Sequence, residues 1–192
     1  QNSFCSRMHL NSIEFSNDSE LRIIEQYTFL KSSIEFIKIP SSVVKIDEYA
    51  FNECRNLKKV EFEKNSNLKT IESLAFADSS IESIKIPSKV LKIGDYAFSF
   101  CSQLKKVEFS HKSELRLIGN GAFYKSAIEH FQIPIHVMHI GEVTFSGCKK
   151  LKNIEIENHS ELISIEKNAF DESSLIITSI PSKLKKLLHL NY

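Results

Sequence analysis

Cysteine is the most reactive residue type in this chain, and its spacing limits the chemistry it could support. Cys54, Cys101 and Cys148 each follow a phenylalanine by three residues and recur every 47 residues. Copies stacked two coils apart would lie about 10 Å from one another, beyond the ~7 Å limit for a disulfide and too far for joint zinc ligation. The spacing favours small buried core residues. Cys5 is out of this register, so a reactive thiol or a pairing between molecules stays open for it.

Histidines cluster in the segment IEHFQIPIHVMHI. His130, His136 and His139 could converge on a metal, but His136 and His139 take the places of Lys89 and Lys92 in an earlier copy of the same segment. Those are positions that the repeat leaves in solvent. Because no acid or cysteine of fitting reach completes a ligand set, we interpret the histidines as surface substitutions and predict no metal site.

The remaining motifs do not predict catalysis. Asn17 and Asn158 fit the glycosylation acceptor pattern, although both occupy a polar turn that belongs to the repeat. The segment Gly119-Asn120-Gly121 lacks the spacing of a phosphate-binding or dinucleotide-binding loop. No nucleophile elbow, paired metal-ligand helix or basic-aromatic alternation is present. We therefore expect no catalytic residues and no cofactor.

Composition narrows the classes of partner. The 192 residues include 25 Lys and Arg against 24 Asp and Glu, which argues against nucleic acid or an anionic membrane surface as the partner. No apolar run approaches the ~20 residues that span a bilayer. The chain starts as QNSFCSRMHL, which has no signal-peptide pattern, and its first residues correspond to the middle of a B unit. We therefore expect it to be a piece of a longer protein.

The elements that carry these residues repeat along the whole chain. The stretch IESIKIPSKVLKIGDYAFSFCSQ at 81–103 returns at 34–56 and 128–150, with a worn copy from Leu175. This 23-residue form, here called B, alternates with a 24-residue form A. Residues 1–192 are predicted to form one solenoid domain of about eight units, with a partial unit at 1–9 and A/B pairs from 10, 57, 104 and 151.

Each unit combines a strand with a return segment. The opening pattern L/I-x-x-I/V-x-F/I predicts a short strand, and strands recurring in one direction must pair in parallel. Pro40, Pro87, Pro134 and Pro181 follow the B strands and should end them. The return signature I-x-x-x-(A/T)-F predicts a brief strand or turn followed by one helical turn. Its phenylalanines should stack in one column through the core, extended by Phe4 and capped by Tyr192.

The pattern IKIPSKVLKIGDYAFSFCSQL at 84–104 resembles the leucine-rich repeats of the BspA-like, or Treponema pallidum, type. The resemblance implies an α/β, right-handed solenoid with a parallel sheet on its concave side and short strands or helical turns on its convex side. It also implies kinship with surface proteins, several of which adhere to host proteins. The A units and the last B unit depart from the family pattern because they lack the cysteine.

The solvent face of the strands should be strongly patterned. At the fifth position of each unit the sign of the charge alternates from coil to coil. The second position alternates too, with the opposite sign in each coil, so unlike charges should be neighbours in each column. The third position is irregular and includes apolar Phe36 and Ile177. The predicted ligand-binding residues of this face are Phe36, Lys38, Lys59, Glu61, Ser83, Lys85, Lys106, Glu108, His130 and Gln132.

These features lead to two hypotheses for function. The first is a non-enzymatic module of a cell-surface adhesin that binds a protein, such as a host or extracellular-matrix protein, through the concave sheet and adjoining loops. The second is an intracellular scaffold or spacer, favoured by the thiols and the missing signal. A homo-oligomer formed through the solenoid ends, where strand edges would be unpaired, stays open in either case.

Overall fold

The structure is a computed structural model that describes residues 11–16, 18–157, 159–166, 168–175 and 182–187. Several sequence-based predictions concern residues outside these ranges. They are the partial unit at 1–9, the core or capping roles of Phe4 and Tyr192, the chemistry of Cys5, the acceptors Asn17 and Asn158, and the positions Ile177 and Pro181.

Within the described residues, the opening segment of each unit from the one at 10 to the one at 151 forms a strand, and these strands pair in parallel. The register is the one that the repeat predicts, with Phe36 opposite Lys59 and Ser83 opposite Lys106. Alternate residues point into the core, so that Ile84 and Ile86 are buried while Ser83 and Lys85 are exposed. The strands are β1 (Ser12–Ile13), β3 (Phe36–Ile39), β5 (Lys59–Phe62), β7 (Ser83–Ile86), β9 (Lys106–Phe109), β11 (His130–Ile133) and β13 (Asn153–Ile156).

The return segments form a second parallel sheet of two-residue strands. Its seven strands pair without interruption from one end to the other. The second residue of each strand is a buried isoleucine, as at Ile46, Ile71 and Ile93. The strands are β2 (Ile23–Ile24), β4 (Lys45–Ile46), β6 (Thr70–Ile71), β8 (Lys92–Ile93), β10 (Leu117–Ile118), β12 (His139–Ile140) and β14 (Ser164–Ile165).

No helix directly follows the described return strands, so the prediction of one helical turn after each of them is wrong. The amide of Ala50 bonds back to the carbonyl of Asp47, but the amide of Phe51 donates to Ala75 of the next coil at 2.7 Å. Tyr49 and Glu53 have φ angles of 56° and 55°. Residues in this left-handed region cannot continue a right-handed helix. The turns therefore alternate bonds within a coil and bonds between coils. In the described part of the chain the only helix is α1 (Ser182–Leu187), which corrects the α/β description to a parallel β-solenoid.

The column of phenylalanine rings through the core is confirmed. Neighbouring rings stack with centroids 4.8 to 5.6 Å apart and planes within 14° of parallel. Burial of each ring contributes about 1.5–3 kcal/mol, and ring contacts add about 0.5–1.5 kcal/mol. This column is an apolar contact that repeats from coil to coil. Its described members are Phe29, Phe51, Phe76, Phe98, Phe123, Phe145 and Phe170.

Pairing between the long strands is shortened or lost wherever a B strand follows an A strand: β1 and β3 share two register pairs, β5 and β7 share one, and β9 and β11 lie in separate sheets. Across β3 and β5 the amide of Glu63 donates to Ile39, but the equivalent residue of β7 is Pro87, which has no amide hydrogen to offer β5. β5 and β7 share only the pair Lys59 and Ser83, and β11 pairs with β13 in a separate sheet. The long strands therefore pair over four residues within each B–A pair, and over fewer residues or none between one pair and the next.

Candidate functional site

The third-position residues form one column on the long-strand sheet. Ser12 lies opposite Phe36, Phe36 opposite Lys59, Lys59 opposite Ser83, and Ser83 opposite Lys106. The neighbouring fifth-position column contains the register pairs Lys38–Glu61, Lys85–Glu108 and Gln132–Glu155. Seven of the ten predicted ligand-binding residues are exposed polar or charged groups of these two columns, and Phe36, Glu61 and Glu108 are partly buried. The predicted residues therefore share one face: Phe36, Lys38, Lys59, Glu61, Ser83, Lys85, Lys106, Glu108, His130 and Gln132.

The ion pairs on this face differ from the predicted pattern. Lys59 Nζ lies 2.6 Å from Glu61 Oε1, and Lys106 Nζ lies 2.5 Å from Glu108 Oε1. Both contacts join residues two apart on the same strand. The predicted neighbours across strands are in register but are not the groups that form these close contacts, because the long lysine side chains reach along their own strand instead. Lys59 and Lys106 are thus neutralised within their own strands, whereas Lys38 and His130 lie 3.7 Å from Glu63 and Glu155 of the neighbouring coils.

The contact with Lys106 has an electrostatic effect on Glu108. The hydrogen bond and charge of Lys106, assisted by the charge of Lys85, hold the pKa of the Glu108 carboxyl below its usual value. Both side chains remain accessible to solvent. This pair adds a defined polar group to the face and contributes little to folding stability.

Phe36 sits at one end of the face and is half-buried. The ammonium of Lys59 lies 5.6 Å from the centre of its ring, within the range of a cation–π contact. Lys59 therefore contacts both the ring of Phe36 and the carboxylate of Glu61. At the other end, His130 Nε2 lies 3.7 Å from Glu155 Oε2.

The other two histidines have partners that the sequence analysis missed. His136 Nδ1 lies 2.9 Å from Glu161 Oε1, although no acid was expected within reach. His139 Nδ1 lies 2.9 Å from Ser164 Oγ. Within the residues that the structure describes, no three His, Cys, Asp or Glu side chains form a cluster that could hold a metal ion.

The three in-register cysteines are buried, as predicted, and each also has a polar role. The Sγ atoms of Cys54, Cys101 and Cys148 donate to carbonyls of the preceding A coil, those of Phe29, Phe76 and Phe123, at 2.9, 3.2 and 3.1 Å. The A units carry serine at this register, and Ser79 Oγ lies 3.3 Å from Cys101 Sγ. Burial raises the pKa of the Cys101 thiol to about 11. Serine thus takes the place of the cysteine in the A units and contacts the cysteine of the following B unit at Ser79 and Ser126.

A cleft lies beside the binding face, and the sequence analysis did not anticipate it. It opens between β5 and β7, where the ladder stops, and has a volume of about 630 Å³. Pro87 lies in its wall, together with Glu61 and Lys85 of the predicted site. The signal was present in the sequence, because a proline that ends its own strand also withholds a donor from the neighbouring strand.

Two parallel sheets of strands joined coil by coil around a phenylalanine column define the leucine-rich-repeat solenoid. The family model of the BspA type leucine rich repeat region matches in six copies, over residues 1–103, 22–134 and 116–189. The chain belongs to this BspA-type leucine-rich repeat family. No protein with a curated description matches it.

Solved structures of bacterial proteins are similar to the chain. The pneumococcal vaccine antigen PcpA is 36% identical with a TM-score of 0.65, over 67% of this chain and 32% of PcpA. A leucine-rich cell surface protein of Faecalibacterium prausnitzii is 26% identical with a TM-score of 0.55, over 73% of this chain and 44% of that protein. The T. pallidum leucine-rich repeat protein, 23% identical, shares the fold with a TM-score of 0.70, over 91% of this chain and 80% of that protein.

These comparisons relate the chain to bacterial surface leucine-rich repeat proteins. The chain spans about a third of the length of PcpA. The repeat family is generally non-enzymatic, and its repeats commonly mediate protein interactions. Within the described residues no helix has the length and apolarity required to cross a membrane.

Proposed function

We propose that this chain is a non-enzymatic protein-binding module of a cell-surface BspA-like adhesin. Its ligand is a protein, with host and extracellular-matrix proteins as the candidates, and its binding residues are those of the long-strand face. We assign this face to the concave side of a right-handed coil, as in the family that the sequence resembles. The residues proposed to contact the ligand are Phe36, Lys38, Lys59, Glu61, Ser83, Lys85, Lys106, Glu108, His130 and Gln132.

The observation that carries this proposal is the irregular third-position column. The repeat requires the buried positions to recur from coil to coil, but it does not require Phe36 to lie beside Lys59. An aromatic ring with a cation above it, surrounded by polar groups, is the composition of a binding hot spot. Strands that hold such groups at fixed spacing lower the entropy lost when a partner binds.

The test uses two matched pairs of residues. Purified chain is screened by surface plasmon resonance against a panel of extracellular-matrix and serum proteins, and every ligand found is then measured with variants. Phe36→Ala combined with Lys59→Ala should weaken binding by about tenfold or more, equivalent to roughly 1.4 kcal/mol. The control is Phe100→Ala combined with Lys125→Ala. That pair has a similar ring-to-ammonium distance of 5.5 Å but lies in a return turn. Binding that is unchanged by the first pair, or equally weakened by both, would reject the face.

An intracellular scaffold is the second candidate. The buried, reduced state of Cys101 and Cys148 fits a compartment where thiols are not oxidised. Labelling intact cells that express the full-length protein with a membrane-impermeant biotin reagent separates the two candidates. Labelled protein supports the adhesin, and protein that is labelled only after lysis supports the scaffold.

A further inference from the structure

The cleft between β5 and β7 lies where the regular pairing of the long strands is cut short. Beyond Lys59 and Ser83 the two strands form no further ladder pairs, although the B–A pairs β3–β5 and β7–β9 continue for four residues. The walls are therefore two strand segments that no longer bond to each other. Phe62, Ile86 and Pro87 supply apolar surface within the cleft.

The charged groups of the cleft are not balanced locally. Its two carboxylates are already engaged from outside, because Glu61 contacts Lys59 at 2.6 Å and Glu63 accepts from the amide of Ser41 at 2.9 Å. Glu63 also lies 3.7 Å from Lys38. The acidic groups of the lining therefore have little capacity to neutralise its lysines.

Three lysines line the same cleft. Lys89 donates to the side-chain oxygen of Asn67 at 2.7 Å, a neutral partner. Within the described ranges, no carboxylate lies within 4.0 Å of the ammonium of Lys64 or Lys85. Glu108, the register neighbour of Lys85, is bound to Lys106. The cleft therefore presents positive charge that the protein itself does not neutralise.

A second copy of the junction shows that the repeat does not require these lysines. The equivalent cleft between β9 and β11 has a volume of about 210 Å³. There, 47 residues further along the chain, His111 stands for Lys64, Gln132 for Lys85 and His136 for Lys89. The proline and the phenylalanine are retained as Pro134 and Phe109. Both junctions have the break in the ladder, but only the first has the lysines and the larger volume.

We propose that the β5–β7 cleft binds an extended acidic segment of a protein, with carboxylates at Lys64, Lys85 and Lys89 and apolar side chains against Phe62, Ile86 and Pro87. A polypeptide fits better than a sulfated glycan or a nucleic acid, because an extended chain can pair with strand segments that lack a ladder partner and can fill the apolar part. Opposite charge then selects the acidic sequence and speeds its association. The inference deepens the proposed function, since Glu61 and Lys85 belong to both sites.

The test uses a defined peptide probe and a variant in which the lysines of the β5–β7 cleft are replaced by the residues found at the β9–β11 junction. The probe is a fluorescein-labelled peptide of alternating glutamate and valine residues, and its binding is followed by fluorescence anisotropy. The control probe replaces each glutamate with glutamine. The variant chain carries Lys64→His, Lys85→Gln and Lys89→His, which copies residues that the repeat already accommodates. The charge control carries Lys125→Gln, Lys149→Gln and Lys150→Gln outside the cleft.

The proposal requires that the acidic peptide bind the wild-type chain, that the cleft variant lose at least about tenfold in affinity, and that the charge control lose less than about twofold. Binding should weaken as salt is added. No binding of the peptide, equal binding by the cleft variant, or binding of heparin in place of the peptide would overturn it. If a protein ligand is lost on Phe36→Ala with Lys59→Ala but kept by the cleft variant, the proposed function stands and this inference fails. If the acidic peptide binds in the cleft but no protein ligand depends on Phe36 and Lys59, this inference stands and the proposed function fails.

Discussion

The two sheets of this solenoid are built by the same repeat but are joined in different ways. The short strands form one uninterrupted sheet, and the turns that follow them add amide bonds from coil to coil, such as Phe76 to Ala97 at 2.8 Å. The long strands pair at only one position across β5–β7, next to Pro87, and β9 and β11 lie in separate sheets. Cohesion between the coils therefore comes from the core and the return side. The long-strand side can therefore vary its residues and open a cleft without loss of the fold.

The largest effect is expected in the ring column. Phe76→Ala removes a fully buried ring that stacks on Phe51 and Phe98, and should lower the free energy of unfolding by about 3–5 kcal/mol. Urea denaturation followed by circular dichroism measures the change. Phe100→Ala is the control, because that ring is 49% exposed, and it should cost under about 1 kcal/mol. Equal losses at the two positions would break the comparison.

A smaller effect is expected at Gly121, in a return turn. Its φ is 57°, and a Cβ atom would lie 2.3 Å from the nearest ring carbon of Tyr96. Gly121→Ala should destabilise the protein by about 1–3 kcal/mol, from the left-handed conformation and the clash together. In a Tyr96→Ala background the clash is absent, so the same substitution should cost less. An identical cost in both backgrounds would show that the ring does not set the requirement for glycine.

The core thiols allow a pH-dependent test. Because burial raises the pKa of Cys101 from 9.0 to about 11, its thiolate at pH 8 should be about a hundredfold scarcer than in the unfolded chain. Alkylation by iodoacetamide should be at least that much slower than in urea. The folded state also holds this proton more tightly than the unfolded state, so its contribution to stability is present below pH 9 and is lost between pH 9 and 11. Rapid alkylation of Cys101 at pH 8 without denaturant would contradict its burial.

The smallest effect is expected on the long-strand face. Lys106→Met should raise the pKa of Glu108 towards its ordinary value, which carbon-detected NMR titration of the carboxyl group measures. The depressed pKa gives Glu108 a contribution to stability that is present above its unfolded pKa and lost as the pH falls through the folded pKa. The pair is exposed, so thermal stability at pH 7 should change very little. A large fall in stability would mean that this face also holds the coils together.

The repeat length explains why so much of the fold could be predicted. A constant period places equivalent residues of successive coils side by side, so the parallel register and the phenylalanine column follow from spacing alone. The cysteine register followed for the same reason. The conserved geometry also predicts which residues share the solvent face, because alternation along a strand decides the side on which each residue lies.

The turn, the ion pairs and the cleft could not be predicted in the same way. Tyr49 and Glu53 adopt a left-handed conformation that glycine would signal but that these residue types do not. Lys59 has Glu61 two residues away on its own strand and other charged groups across the sheet, and the sequence cannot decide which a flexible ammonium contacts. The cleft depends on what Pro87 fails to donate to a different coil, which is a property of two coils and not of one repeat.

Amide hydrogen exchange, resolved by NMR, tests the difference between the two sides most directly. The account predicts slow exchange for the amides of Phe51, Phe76 and Phe98, which bond to the next coil at 2.7 to 2.8 Å. It predicts much faster exchange for the amides of β7 (Ser83–Ile86) that face β5, where the ladder stops after one pair. Equal protection at the β5–β7 junction and in the return turns would contradict the account.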